Sequence, residues 1–276
     1  MRRVTRSSRE DRRRRLGRRD GRLRVVSKPV SISLAARERI ALDRSSVPQH
    51  VAIIMDGNRR WARDHGVPAI EGHRRGMIAL RRVTRGASDL GIGALTVYGF
   101  STENWNRDAR EISLLFELCV HFARGELLEL RRNNVRVRVI GEWESLPEAP
   151  RRALADLQAQ TASSTGLLLN LAVNYSSRAE LERAVRAIAR DVARGAVLPD
   201  EIDEATIGRY LYTADLPELD LLIRPGGEQR LSNFLLYQAA YAELVMTDVY
   251  WPDFSKDDLI RALIEFQRRE RRFGGA

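Results

Sequence analysis

The chain has 276 residues, 43% of them hydrophobic and 30% charged, which is enough to bury a full core. No apolar stretch approaches the length of a membrane span, and the arginine-rich start lacks the apolar centre of a secretory signal. The net charge of +10 is local: of 47 Lys+Arg and 37 Asp+Glu, residues 1–45 hold 16 and 5, which leaves 31 and 32 for the rest. The core of that tail, residues 12–24, has little hydrophobic periodicity and is expected to be disordered. Strand candidates follow at 51–55, 94–100, 135–140, 167–173, 219–223 and 244–247. Helical patterns lie between them at 72–90, 111–131, 150–161, 178–194, 205–210 and 256–271. This alternation predicts an α/β fold: a single domain, residues 46–276, with a mostly parallel central sheet flanked by helices. Val135, Val137 and Val139 alternate with Arg136 and Arg138, which places that strand near an edge. The only cysteine, Cys119, cannot form an internal disulfide and reads as a core thiol. These features fit a cytoplasmic protein.

The first segment that carries chemistry is HVAIIMDGNRRW, residues 50–61. A buried strand runs into a loop there, and open α/β sheets bind ligands beyond the carboxyl ends of their strands. The loop offers a carboxylate, a glycine, an amide and two guanidinium groups, which are parts for holding a metal and a phosphorylated anion. Alone, it would equally read as an Asp-Gly turn with solvated arginines. Three further segments follow: YGFSTENWNR at 98–107, LLIRPGGEQRLSNFLLYQAAYAE at 221–243, and RRERRFGG at 268–275.

In order and spacing these four segments resemble the cis-prenyltransferase family, whose best-known member is undecaprenyl diphosphate synthase, from about residue 50 to 275. The resemblance implies the fold of that family, with an apolar tunnel between the 111–131 helix and the sheet. It implies condensation of isopentenyl diphosphate with an allylic diphosphate such as farnesyl or geranylgeranyl diphosphate. The product would be a long cis-polyprenyl diphosphate, a cell-wall lipid-carrier precursor, made by a Mg2+-dependent homodimer. The stripe Ile112, Leu115, Phe116, Cys119, Val120, Ala123, Leu127 and Leu130 supplies either tunnel lining or core.

Residue by residue, Asp56 looks like the essential aspartate, a hard ligand suited to Mg2+. Gly57, Asn58, Arg59, Arg60 and Trp61 resemble the allylic-diphosphate cradle, and His73 on the next helix can add a donor. Ser101, Thr102, Glu103, Asn104, Trp105 and Arg107 resemble the second motif. Asn104 is commonly given the proton-acceptor role there. An amide is a poor base, so Asn104 reads as an orienting group and the departing pyrophosphate as the base. Arg224, Arg230, Leu231 and Ser232 resemble the isopentenyl-diphosphate site, where arginine's fork suits phosphate. Glu243 resembles a second metal-associated carboxylate. Arg272-Phe273-Gly274 matches an element that completes the site near the dimer partner. Gly99, where short-chain relatives carry bulk, favours a long product. The sequence departs from the family at Ala69, Pro225, Gln229 and Tyr237. The loss of an arginine at position 69 bears on affinity for the allylic substrate.

Other readings compete less well. Asp257-Asp258 lacks the third aspartate of the all-helical trans-prenyl synthases, and the phosphate loop of nucleotide hydrolases is absent. A non-catalytic partner subunit would have lost the Asp-Gly-Asn motif, and a short-chain synthase remains an alternative. The tail could hold anionic lipid, bind nucleic acid or be a functionless extension. Lipid ranks above nucleic acid because one disordered basic run carries no base-reading module, so no nucleic-acid partner is expected.

Overall fold

Short runs of Val, Ile, Leu and Ala build the sheet, because β-branched and aliphatic side chains suit strands covered on both faces. The structure is a computed structural model and describes residues 42–269. Six strands, β1 (His50–Ile54), β2 (Ala94–Ser101), β3 (Arg136–Ile140), β4 (Leu168–Tyr175), β5 (Leu221–Pro225) and β6 (Glu243–Thr247), form one sheet in the order β3-β4-β2-β1-β5-β6. Every pairing is parallel. The expected edge strand, β3, lies at one edge of the sheet. Among the described residues seven α-helices accompany it: α1 (Asn58–Asp64), α2 (Ala69–Leu90), α3 (Ala109–Arg132), α4 (Glu148–Thr161), α5 (Ser177–Ala193), α6 (Glu204–Arg209) and α7 (Lys256–Arg268).

Alternate strand residues divide the interior. Val51, Ile53, Leu95, Val97, Leu221 and Ile223 face the larger core, which α2, α3 and α7 cover. Ala52, Ile54, Ala172 and Leu222 face a smaller core with Tyr175, Phe234 and Leu235. One buried polar chain crosses the sheet. His50 Nδ1 lies 3.0 Å from the Pro217 carbonyl, so it donates, and Nε2, 2.7 Å from Thr96 Oγ1, accepts. Asn170 Nδ2 donates to the same hydroxyl at 3.2 Å. Burial pushes the His50 pKa down to about 4, which keeps the ring neutral.

Two expectations change. Residues 42–45, assigned to the tail, belong to the folded body: Leu42 is buried, and the Gln267 amide brackets Asp43 on α7. The segment after Asp56, expected as a loop, becomes α1 at Asn58. Its apolar face finds tertiary partners, with Ala62 buried and Trp61 Nε1 donating to Asp253 Oδ1 at 2.9 Å. A seven-residue helix has too little periodicity to announce itself in sequence. Residues 1–41 and the Arg272-Phe273-Gly274 element lie outside the described residues.

Candidate active site

Because all strands run parallel, their carboxyl ends meet at one edge of the molecule. Ile54, Ser101 and Pro225 end there, and the loops that follow them carry the three motifs. Asp56 stands at the centre. Its Oδ1 accepts from the Gly57 N–H at 2.6 Å and from Arg60 Nη2 at 3.0 Å, and its Oδ2 accepts from Arg224 Nη2 at 2.9 Å. Burial alone would raise its pKa, but the Arg224 hydrogen bond and the Arg60 charge overcome that and hold it below the usual carboxylate range.

The loop after β5 closes on this carboxylate. Arg224 is only 3% exposed. Its Nη1 donates to Ser232 Oγ at 2.8 Å and to the Arg230 carbonyl. Gly226 takes φ 96°, and a Cβ there would stand 2.9 Å from Arg60 Nη2 and 3.2 Å from the Asp56 backbone. Only glycine lets the loop come this near. Gly57, at φ 103°, caps α1 and would meet the Tyr250 ring at 2.8 Å if it carried a Cβ.

The second motif folds as a 3-10 turn, Thr102–Asn106, after Ser101. Asn104 Oδ1 accepts from the Ser101 N–H at 3.2 Å, so its carbonyl is committed to the turn. Glu103 Oε1 accepts from Asn233 Nδ2 at 2.8 Å, which ties this turn to the loop after β5. Arg107 reaches Glu111 at 3.3 Å, and Arg59 and His73 lie 3.9 and 3.8 Å from the same carboxylate. Burial, with the charges of Arg107 and Arg59, pushes the His73 pKa down to about 4, so it is a neutral donor or acceptor. Its Nε2 is buried and has no hydrogen-bond partner among the described residues.

From this polar mouth a cavity of about 860 Å³ leads inward between α2, α3 and the sheet. Asp56, Asn58, His73, Ser101, Glu103, Asn104, Arg107, Arg224, Arg230, Leu231 and Ser232 border it. The deeper wall is apolar: Met77 and Leu80 on α2, Leu115, Phe116, Cys119 and Phe122 on α3, Leu154 on α4, and Leu171 and Val173 on β4. The expected stripe on α3 thus divides: Leu115, Phe116 and Cys119 line the cavity, whereas Ala123 and Leu130 are core. Burial pushes the Cys119 thiol up to about 12, consistent with an inert lining group.

Several expected residues sit elsewhere. Trp61 turns away from the cavity, stacks on His65 and bonds Asp253. Trp105 is partly exposed at the rim, packed on Phe100 and Phe116, with its Nε1 bonded to Asn174. Arg230 stays at the cavity mouth, where it pairs with Glu228 at 2.5 Å. Glu243, expected as a second metal-associated carboxylate, opens β6 at the opposite end of the sheet from Asp56 and pairs with Arg269 at 2.8 Å. Strand register, invisible in a motif, sets that distance. Sequence reading missed Glu111 and Glu228, which fix Arg59, Arg107, Arg60 and Arg230, and missed Phe122. A carboxylate one or two turns from a motif arginine was the available signal.

Among the described residues no group of three His, Cys, Asp or Glu side chains is arranged to hold a metal. Asp56 still fits a magnesium ion: it is ionised and partly exposed, three of its roughly four acceptor positions are used, and Mg2+ takes most ligands from water and substrate phosphate.

Comparison with known proteins places this arrangement. A family model described as putative undecaprenyl diphosphate synthase matches residues 54–274. The isoprenyl transferase of Heliobacterium mobile is 52% identical over 234 residues, 85% of this chain and 90% of that one. Isoprenyl transferase 2 of Bradyrhizobium diazoefficiens is 52% identical over 233 residues, 84% and 92% of the two chains. Among solved structures, lavandulyl diphosphate synthase from Lavandula x intermedia, in complex with dimethylallyl diphosphate, is 38% identical at a TM-score of 0.80, covering 83% of this chain and 98% of that one. A probable undecaprenyl diphosphate synthase from Campylobacter jejuni is 33% identical at a TM-score of 0.67, covering 82% and 98%. A cationic mouth over an apolar cavity, on this sheet and with these relatives, makes the chain a prenyl-group transferase that belongs to the cis-prenyltransferase family, the family of undecaprenyl diphosphate synthase.

Proposed function

We propose that this prenyltransferase condenses isopentenyl diphosphate with an allylic diphosphate such as farnesyl or geranylgeranyl diphosphate. Repetition would yield a long cis-polyprenyl diphosphate, the precursor of a cell-wall lipid carrier. The observation that carries this reading is the continuity of the arginine-lined mouth with the apolar cavity of about 860 Å³. Diphosphate heads belong with the guanidinium groups and prenyl tails with Met77, Leu80, Cys119 and Phe122.

In each condensation the allylic C1–O bond breaks and pyrophosphate leaves. The terminal carbon of isopentenyl diphosphate bonds to C1, and the proton lost from its C2 passes to the departing pyrophosphate. Arg60, beside Asp56, and Arg59, near Glu111, hold the allylic diphosphate. Arg230, half of whose guanidinium is engaged by Glu228, meets isopentenyl diphosphate with Ser232. Arg224 ties Asp56 to the Ser232 loop and so sets one diphosphate against the other. Asn104, with its carbonyl oxygen on the Ser101 N–H, orients substrate and does not act as a base. Neutral His73 offers a hydrogen bond without adding charge. Asp56 would hold Mg2+, which when bound withdraws charge from the leaving diphosphate.

A homodimer and a cytoplasmic setting, with peripheral contact of the basic tail to anionic membrane, complete the reading. No described helix is long and apolar enough to cross a membrane. The likeness to lavandulyl diphosphate synthase favours a short-chain product instead. Gly99 favours the long one: it lines the cavity, and a Cβ there would face Val173 Cγ2 at 3.8 Å and Met55 Cε at 4.0 Å. Incubation with labelled isopentenyl diphosphate and a panel of allylic primers, followed by chromatography, decides. A ladder of many condensations is expected, and a stop after one would defeat the long-chain reading.

A further inference from the structure

Behind Phe122, on the apolar wall of the cavity, lies buried charge. Along α2 its lining follows one face through His73, Gly76, Met77 and Leu80, and the next residue of that face is Thr84. Along α3 it follows Leu115, Cys119 and Phe122, and the next is Glu126. From His73 to Thr84 the helix rises roughly 16 Å. Phe122 borders both the main cavity and a separate void of about 20 Å³, on which Arg81, Thr84, Glu126 and Leu130 also border. That void has room for about one water molecule and for no hydrocarbon chain.

The wall there is unlike the rest. Glu126 is only 5% exposed, and its Oε1 accepts from Arg81 Nη2 across the seam between α2 and α3. The Arg81 side chain is 49% exposed, so the buried carboxylate is anchored by a guanidinium that reaches solvent. The Thr84 hydroxyl is buried and has no hydrogen-bond partner among the described residues. A carboxylate this buried is costly to the fold, and nothing at the polar mouth uses it.

We propose that Glu126, held by Arg81 across the α2–α3 seam, is the stop that sets the maximum length of the prenyl chain. This rests on the reading of repeated condensation. A growing tail gains by burying each further isoprene unit while the wall is Met77, Leu80 and Phe122. Past Phe122 the next unit must either part the carboxylate from its guanidinium or cover both with hydrocarbon. Neither offers water or a new partner in exchange, so elongation becomes unfavourable there and the diphosphate head is released.

The test is the product ladder of the full-length enzyme with isopentenyl diphosphate and a farnesyl primer. Arg81→Met combined with Glu126→Leu removes both charges at similar volume and strands neither. Its longest product should exceed the wild-type limit by at least one isoprene unit, with the rate of the first condensation unchanged. Arg186→Met with Glu182→Leu, an exposed ion pair on α5 that borders neither the cavity nor the void, is the control and should leave the ladder in place. Glu126→Gln keeps the shape and still accepts from Arg81, so it reports even if the double variant fails to fold, and it should lengthen a fraction of the product. An unchanged ladder in both Glu126 variants, or an equal shift in the control pair, overturns the stop. A wild-type enzyme that halts after one condensation overturns repeated elongation and the stop together. A normal wild-type ladder that the variants leave alone overturns only the stop.

Discussion

Arg224→Met separates two roles that the motif alone merges. The side chain is buried, and it donates to Asp56, Ser232 and the Arg230 carbonyl. A hydrogen bond to a charged partner contributes about 1.5–3 kcal/mol. Removing the arginine does not strand Asp56, which keeps Arg60 and the Gly57 N–H, so the stability cost should be about 2–4 kcal/mol, below the full penalty for a broken buried pair. If the same alignment supplies about 2–3 kcal/mol in the transition state, turnover should fall roughly 30- to 150-fold. Arg230→Ala, by contrast, removes a side chain that is 60% exposed. It should mainly raise the KM for isopentenyl diphosphate and leave kcat close to wild type. Steady-state kinetics with each substrate varied in turn, plus a double-mutant cycle of Arg224→Met with Asp56→Asn, would read this out. The two substitutions should be strongly non-additive, because they act through one contact. If Arg224→Met keeps kcat and raises only the KM for isopentenyl diphosphate, with an additive cycle, Arg224 is a substrate ligand and the positioning role is wrong.

Asp56→Ala should lower turnover by several orders of magnitude while the circular dichroism spectrum stays native; near-full activity at saturating Mg2+ would remove Asp56 from the mechanism. Gly99→Leu should shift products towards a few condensations at little cost in stability, since its Cβ meets only ordinary contacts; an unchanged ladder would mean the side chain does not enter the cavity. His73 titrates at about 4 when folded and about 6.5 when unfolded, so the unfolded chain binds the extra proton and stability is lost as pH falls from about 6.5 to 4. His73→Gln should flatten that slope by up to about 1.4 kcal/mol per pH unit in urea melts, and an unaltered slope would place the burden on His50. Deleting residues 1–40 should leave activity on a short soluble primer intact and weaken salt-sensitive sedimentation with anionic vesicles; lost catalysis in detergent would show that the tail serves the fold.

Much of this molecule is written in short-range pattern. Runs such as Val51–Ile54 and Leu221–Ile223, bounded by turn residues and separated by helical periods, specify a parallel sheet because a buried strand must be apolar on both faces. A parallel sheet places all strand exits together, so Asp56, Asn104 and Arg224, far apart in the chain, fall at one mouth. Pairing and orientation depended on tertiary structure. Nothing in the motif says that Arg224 reaches Asp56 instead of solvent, or that Trp61 turns to Asp253. Register put Glu243 at the start of β6, at the other end of the sheet from Asp56, because parallel strands carry their two ends to opposite sides of the fold. The α3 stripe shows only that this helix has a wide apolar face. Which of its residues meet empty space and which meet other side chains follows from how far α2 and α3 stand from the sheet, and that spacing is a property of the whole packing.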